Sequence, residues 1–175
     1  MLGSGRYART DPWHAHDSGY DVRPAYRLVA DALTRDPEAQ NDGRGGGPRK
    51  VAAFLNTHPK IASVWYLGFL PEDHPDRPVF ERQCKSPGST FSFEVRGGEA
   101  EAFAVLDRLK VIKLAVSLGG TETLASHPAA MTHSDIPREE RLRLGITPAL
   151  IRISVGVEDP DDLIADLNQG LDARS

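Results

Sequence analysis

The sequence predicts an α/β (α+β) domain: a mainly antiparallel sheet of about four strands, covered by helices on one face. Three observations point there. Short runs alternate apolar and polar residues, as in TFSFEV at 90–95 and IRISV at 151–155, which is the period of a half-buried strand. Segments between and after them repeat apolar residues at three and four, the period of a helix with one buried stripe. Glycine and proline fall at the junctions, where a chain turns or a helix must stop.

Taken in order, residues 1–49 mix Gly, Arg, Asp, His and Pro without period and read as an irregular segment with no recognised domain. Within them, Pro24 to Arg35 suits one short amphipathic helix, and NDGRGGGPR reads as a flexible linker. The domain proper is expected over 50–175. Val51, Ala52, Phe54 and Leu55 suit a helix that Pro59 stops, and Ile61 to Leu67 reads as a strand. After the proline-punctuated loop LPEDHPDRP, Pro78 opens a short helix. TFSFEV follows as a half-buried strand, and Gly97-Gly98 turns the chain into a helix from Glu99 to about Leu109, with Phe103, Leu106 and Leu109 on one face.

In the next strand Ile112, Leu114, Val116 and Leu118 share one face, leaving Ser117 with Lys113 and Ala115 on the other, just before Gly119-Gly120. TETLAS reads as helical or irregular, AAMT as briefly extended, and a helix runs from Pro137 to Gly145. In the last strand Ile151, Ile153, Val155 and Val157 point one way, so Arg152 and Ser154 point the other. Asp159 then caps a closing helix with Pro160 at its first position and Leu163, Ile164, Leu167 and Leu171 as its buried stripe. If the Ser117 and Arg152 strands pair, a hydroxyl, a glycine-rich backbone and a guanidinium converge on a site sized for one small anion.

Composition narrows the function classes. With 39% hydrophobic and 26% charged residues, 175 residues make an ordinary globular chain. A net charge of −4 with scattered basic residues argues against nucleic acid as a partner. No apolar run approaches the ~18 residues of a membrane span, and the lone Cys84 fits a reducing compartment, so the chain is expected to be cytoplasmic. His14 and His16, and His127 and His133, each lack a third ligand, so no metal site is expected. Taken on residues alone, Arg152 reads as a solvated strand arginine and Ser117 as a hydroxyl beside a turn.

A resemblance changes that weighting. KVAAFLNTHPKI, SPGSTFSFEV, VSLGGTETLASHPAAMTH, EERLRLGI and ALIRISVGVEDPDDLIADL follow one another from about Lys50 to Asp172. In this order they resemble the small C-terminal domain of the Cys/Met-metabolism family of pyridoxal-phosphate enzymes of fold type I, the group around cystathionine γ-synthase, cystathionine γ-lyase, methionine γ-lyase and O-succinylhomoserine sulfhydrylase.

The resemblance implies transsulfuration chemistry: β/γ-elimination or γ-replacement on homoserine esters, cystathionine or methionine, with pyridoxal 5'-phosphate (PLP) as cofactor. It implies that Arg152 grips the substrate's α-carboxylate in a bidentate pair, with Ser117 and the adjoining backbone helping to fix it. Val116 stands where cystathionine-processing members tend to carry glutamate and methionine γ-lyase-like members carry valine, which points to a less polar side chain on the substrate. Thr132 would supply a hydroxyl contact. The family's cofactor lysine lies in a Ser-x-Thr-Lys motif, and none of Lys50, Lys60, Lys85, Lys110 or Lys113 has that context. The expectation is therefore a truncated member, without the covalent attachment site, that takes a small amino-acid substrate and forms a homo-oligomer or associates with a full-length relative. The alternative is a non-catalytic amino-acid-binding or interaction module.

Overall fold

The computed structural model describes residues 46–172. The Pro24–Arg35 helix and the His14/His16 pair lie outside them. The first element, α1 (Gly46–Thr57), begins four residues before the start read from the sequence, so Gly46 to Arg49 belong to a helix and not to a linker. Pro48 sits in its first turn, where a missing N–H costs nothing, and Pro59 disfavours helical geometry for His58 and ends it. β1 (Ile61–Trp65), a 3₁₀ turn at Leu67–Phe69 and α2 (Arg77–Gln83) follow, with Cys84 just past the end of α2. β2 (Thr90–Val95) and α3 (Glu99–Arg108) come next, joined through Gly97 and Gly98, whose φ values of 106° and 90° favour glycine. The rest is β3 (Lys113–Leu114), β4 (Leu124–Ser126), α4 (Arg138–Arg143), β5 (Leu150–Ser154) and α5 (Pro160–Asp172).

The sheet has five strands in the order β1-β2-β5-β4-β3, antiparallel except for the β3–β4 pair. The count exceeds the expected four because Leu124–Ser126, read as helical or irregular, is a three-residue strand: three residues are too few to show a period of two. Ala129 to Met131, expected to be extended, lie in turns.

Helices α1, α3 and α5 cover one face of the sheet. Val51 and Leu55 of α1, Val105 and Leu106 of α3, and Leu163, Leu167 and Leu171 of α5 pack there on Phe91, Phe93, Ile151 and Ile153. Each such side chain contributes on the order of 1.5–3 kcal/mol when fully buried. In α3 the buried positions are Ala102, Val105 and Leu106, while Phe103, expected on the inner face, is 38% exposed. Its ring instead stacks on His127 at 4.5 Å between centroids. The helix α5 begins as expected: the Asp159 carboxylate accepts the N–H of Asp161 at 2.8 Å.

One further contact holds the sheet's β3 edge. Asp166 of α5 is buried, and its carboxylate accepts the backbone N–H groups of Lys110, Val111 and Ile112 at 2.9 to 3.1 Å. Three successive N–H groups pointing to one place form an anion-binding concavity, filled here by the protein's own carboxylate. That contact fixes the entry to β3.

Candidate functional site

The sheet face away from the three helices carries the site. Strand register sets Trp65, Ser92, Arg152 and Ser126 in one row across β1, β2, β5 and β4, with Thr90 opposite Ser154 in the next. Because β5 is flanked on both sides, even its polar residues are enclosed: Arg152 is 8% exposed and Ser154 2%. The solvated-arginine reading is therefore corrected. Beside this row, Trp65, Ala129, Ile146 and Leu150 form a second small apolar cluster beneath the chain around α4.

The Ser117 segment reaches Arg152 by a route other than the expected one. Its strand is only two residues long and pairs with β4, which separates it from β5, so the Ser117 and Arg152 strands do not pair. Past β3 the chain instead comes over the sheet face. Nη2 of Arg152 donates to the carbonyl of Val116 at 2.8 Å and to that of Ser117 at 3.4 Å. Ser117 thus meets the guanidinium through its backbone, and its side chain is exposed. The apolar stripe also divides: Ile112 is buried, whereas Leu114 and Val116 are 53% and 54% exposed.

Thr132 lies at the border of this face. It is exposed, and its Oγ1 lies 2.7 Å from Nδ1 of His133. Burial lowers the pKa of His133 below the usual 6.5; a backbone hydrogen bond at Pro128 works against this, and the nearby charges of Arg152 and Arg141 push it down further. His133 is thereby within electrostatic reach of Arg152, and no hydrogen bond joins Thr132 to that guanidinium. His127, by contrast, is structural. Its Nδ1 accepts the N–H of Ala130 at 3.1 Å, which leaves Nε2 protonated to donate to the carbonyl of Pro148 at 2.9 Å.

The electrostatics centre on Arg152. Burial lowers its pKa, yet a guanidinium keeps its proton in proteins. Among the described residues no carboxylate forms an ion pair with it, and its only hydrogen-bond acceptors are the two carbonyls. A buried charge without a counter-ion is costly, so the arrangement suits an anionic ligand on the guanidinium edge that the carbonyls leave open. No cluster of metal-ligating side chains occurs among the described residues, and no helix there is long and apolar enough to cross a membrane.

Sequence reasoning missed several parts of this site. Thr123 and Glu158 hydrogen-bond to each other, Ser154 accepts the N–H of Gly119, and Arg141 donates to the carbonyl of Ala129. Glu158 was hidden in the acidic run before α5, and Thr123 and Arg141 carry no periodic signal.

A polar sheet face bearing a buried arginine, without a carboxylate partner among the described residues and beneath a glycine-containing loop, is an arrangement suited to a small organic anion. Residues 46–172 match the family model described as Cys/Met metabolism PLP-dependent enzyme, and the chain belongs to that family. Two relatives show its range. An L-methionine gamma-lyase from Fusobacterium nucleatum subsp. polymorphum is 51% identical over 124 residues, covering 71% of this chain and 31% of the relative. A cystathionine gamma-lyase from Bacillus subtilis is 46% identical over 124 residues, covering 71% and 32%. Among solved structures, a cystathione gamma lyase from Micromonospora echinospora has a TM-score of 0.68 at 38% identity, over 75% of this chain and 34% of its own. A protein from Campylobacter jejuni described as an O-acetylhomoserine (thiol)-lyase has a TM-score of 0.68 at 34% identity, over 82% and 33%, and contains an N'-pyridoxyl-lysine-5'-monophosphate. The chain thus spans about a third of the length of these relatives.

The family is PLP-dependent, but this chain's lysines do not fit a covalent cofactor site. Nζ of Lys50 pairs with Asp161, that of Lys60 donates to the carbonyl of Leu171, and that of Lys113 to the carbonyl of Lys110. Lys85 and Lys110 are exposed, and no lysine stands in a Ser-x-Thr-Lys motif.

Proposed function

We propose that this chain supplies the substrate-carboxylate part of a PLP-dependent transsulfuration site, the part that holds the α-carboxylate of a sulfur amino acid. The observation that carries the reading is the buried Arg152 guanidinium, oriented by two carbonyls and without a carboxylate partner among the described residues. Its planar fork matches two carboxylate oxygens at once, so the bound acid is fixed in angle as well as in place. Ser117 flanks that acid, and Thr132 offers a hydroxyl at the border of the site. Val116, half exposed beside the guanidinium, gives the substrate side chain an apolar contact, which favours methionine-like substrates over those with a distal ammonium.

In enzymes of the family PLP withdraws the charge that develops at the substrate α-carbon. Arg152 would decide which α-carbon bond is presented for cleavage, because holding the carboxylate fixes rotation about that carbon. The whole reaction, β/γ-elimination or γ-replacement, would need a Schiff-base lysine and cofactor-binding residues in addition to the groups described here. The engagement of Lys50, Lys60 and Lys113 in other contacts favours a second reading, an amino-acid-binding or interaction module without catalysis. The lone, unpaired Cys84 supports a cytoplasmic setting.

Calorimetry with L-methionine on the full chain tests the proposal. Binding should be measurable, and Arg152→Ala should weaken it by at least about a hundredfold, since a desolvated charge pair is worth several kcal/mol. Equal affinity in the variant would remove Arg152 from the role.

A further inference from the structure

Nine residues, 115 to 123, connect β3 to β4, and they include the two carbonyls that orient Arg152. The strand before them is two residues long and lies at the sheet edge, and Gly119 adopts φ 75°. Such a loop has the backbone freedom to wander, so something must hold it. The anchors come from the chain just after Arg152.

Ser154 Oγ accepts the N–H of Gly119 at 3.0 Å, and the carbonyl of Thr121 accepts the N–H of Val157 at 2.8 Å. Thr123, fully buried, then makes three bonds to that segment. Its N–H and its hydroxyl each donate to a different oxygen of the Glu158 carboxylate, both at 2.7 Å, and its Oγ1 accepts the N–H of Gly156 at 2.8 Å. One hydroxyl therefore donates once and accepts once, which fixes the direction of its proton. The fit is close: a Cβ on Gly156 would stand 2.2 Å from the carbonyl oxygen of Thr121.

Neither Thr123 nor Glu158 is among the residues assigned to the substrate. Resting on the proposed carboxylate site, we propose that Thr123 and Glu158 are a positioning pair: they clasp the 115–123 loop to the end of β5 and so hold the Val116 and Ser117 carbonyls that aim Arg152 at an α-amino-acid carboxylate. The bonds to carboxylate are charge-assisted, and they act on the loop from its far end while the guanidinium bonds act near its start. Losing them frees the loop without touching the hydrophobic core on the other face of the sheet.

The test uses the full chain with L-methionine as the probe, comparing Thr123→Val, Thr123→Ser and Glu158→Gln. Valine keeps the shape and deletes the hydroxyl; serine restores it. Glutamine sets an N–H₂ against a hydroxyl that already accepts from Gly156, leaving the hydroxyl proton without its acceptor. We expect methionine affinity to fall about tenfold in Thr123→Val and Glu158→Gln and by less than about threefold in Thr123→Ser. The Gly119 amide and Arg152 Nε–H resonances should move in the first two, while the amides of α3 stay in place. Lower thermal stability with unchanged affinity and unchanged Arg152 and Gly119 resonances would make the pair purely structural and overturn the proposal. Should the parent chain not bind methionine, the carboxylate-site reading falls. The positioning claim is then decided on the unliganded protein: it stands if those resonances shift in Thr123→Val and fails if they do not. If Thr123→Val does not fold, Glu158→Gln carries the same comparison.

Discussion

Arg152 is legible as special only in part. Alternation in IRISV puts it on the opposite face from Ile151 and Ile153, but alternation cannot say whether that face is wet. Enclosure follows from two facts with no local signature: β5 lies between β2 and β4, and the loop after β3 folds over it. The resemblance supplied the missing context. Val116 shows the converse, because a residue counted in an apolar stripe proves half exposed beside the guanidinium. That exposure makes it a handle on specificity. Val116→Glu places a carboxylate next to the site, where it would repel a second acid and attract a distal ammonium. L-methionine binding should weaken and cystathionine binding strengthen, so that the ratio of the two affinities changes by about tenfold or more in calorimetry. An unchanged ratio would place the substrate side chain elsewhere.

At the scale of elements, long periodic segments were readable and short ones were not. The closing helix declared itself by Asp159, Pro160 and three leucines four apart, and α5 is built on those residues. β3 and β4 have two and three residues, and their pairing is decided by what holds them in place. Asp166 is the clearest case. On a helical wheel it is one more polar residue, yet it is 4% exposed and gathers the N–H groups of Lys110, Val111 and Ile112 into the turn that starts β3. Asp166→Ala leaves those donors without an acceptor, at about 1–3 kcal/mol for each one that water does not reach. Chemical denaturation should show a loss of about 2–5 kcal/mol, with Asp166→Asn, which keeps one acceptor oxygen, losing less. A loss below about 1 kcal/mol would mean that β3 is set by its pairing with β4 alone.

For the molecule as a whole, the described residues pack three helices on one face of a sheet, and the chain spans about a third of the relatives' length. The ionisable groups around this architecture make its stability depend on pH in a fixed direction. Burial lowers the pKa of His58, against the raising effect of Asp172 and with a further lowering from Lys60; burial likewise lowers that of His133. As pH falls through 6.5, the unfolded chain takes up protons that the folded chain still refuses, so stability declines from there down to the folded values. Glu158 adds a second, more acidic step. Burial pulls its carboxyl up, but the hydrogen bonds from Thr123 prevail and hold it below 4.5, so the stability it contributes is present above that pH and lost as pH falls through the folded value. Denaturation midpoints should therefore be level from about pH 7 to about 8, decline below about 6.5, and decline again below about 4.5; above about pH 8.5 they should fall too, because burial raises the pKa of Cys84 and of Tyr66. Replacing His58 and His133 together by glutamine should flatten the first decline and leave the second, and Glu158→Gln should do the reverse. A first decline that survives the double substitution would assign it to groups other than these two histidines.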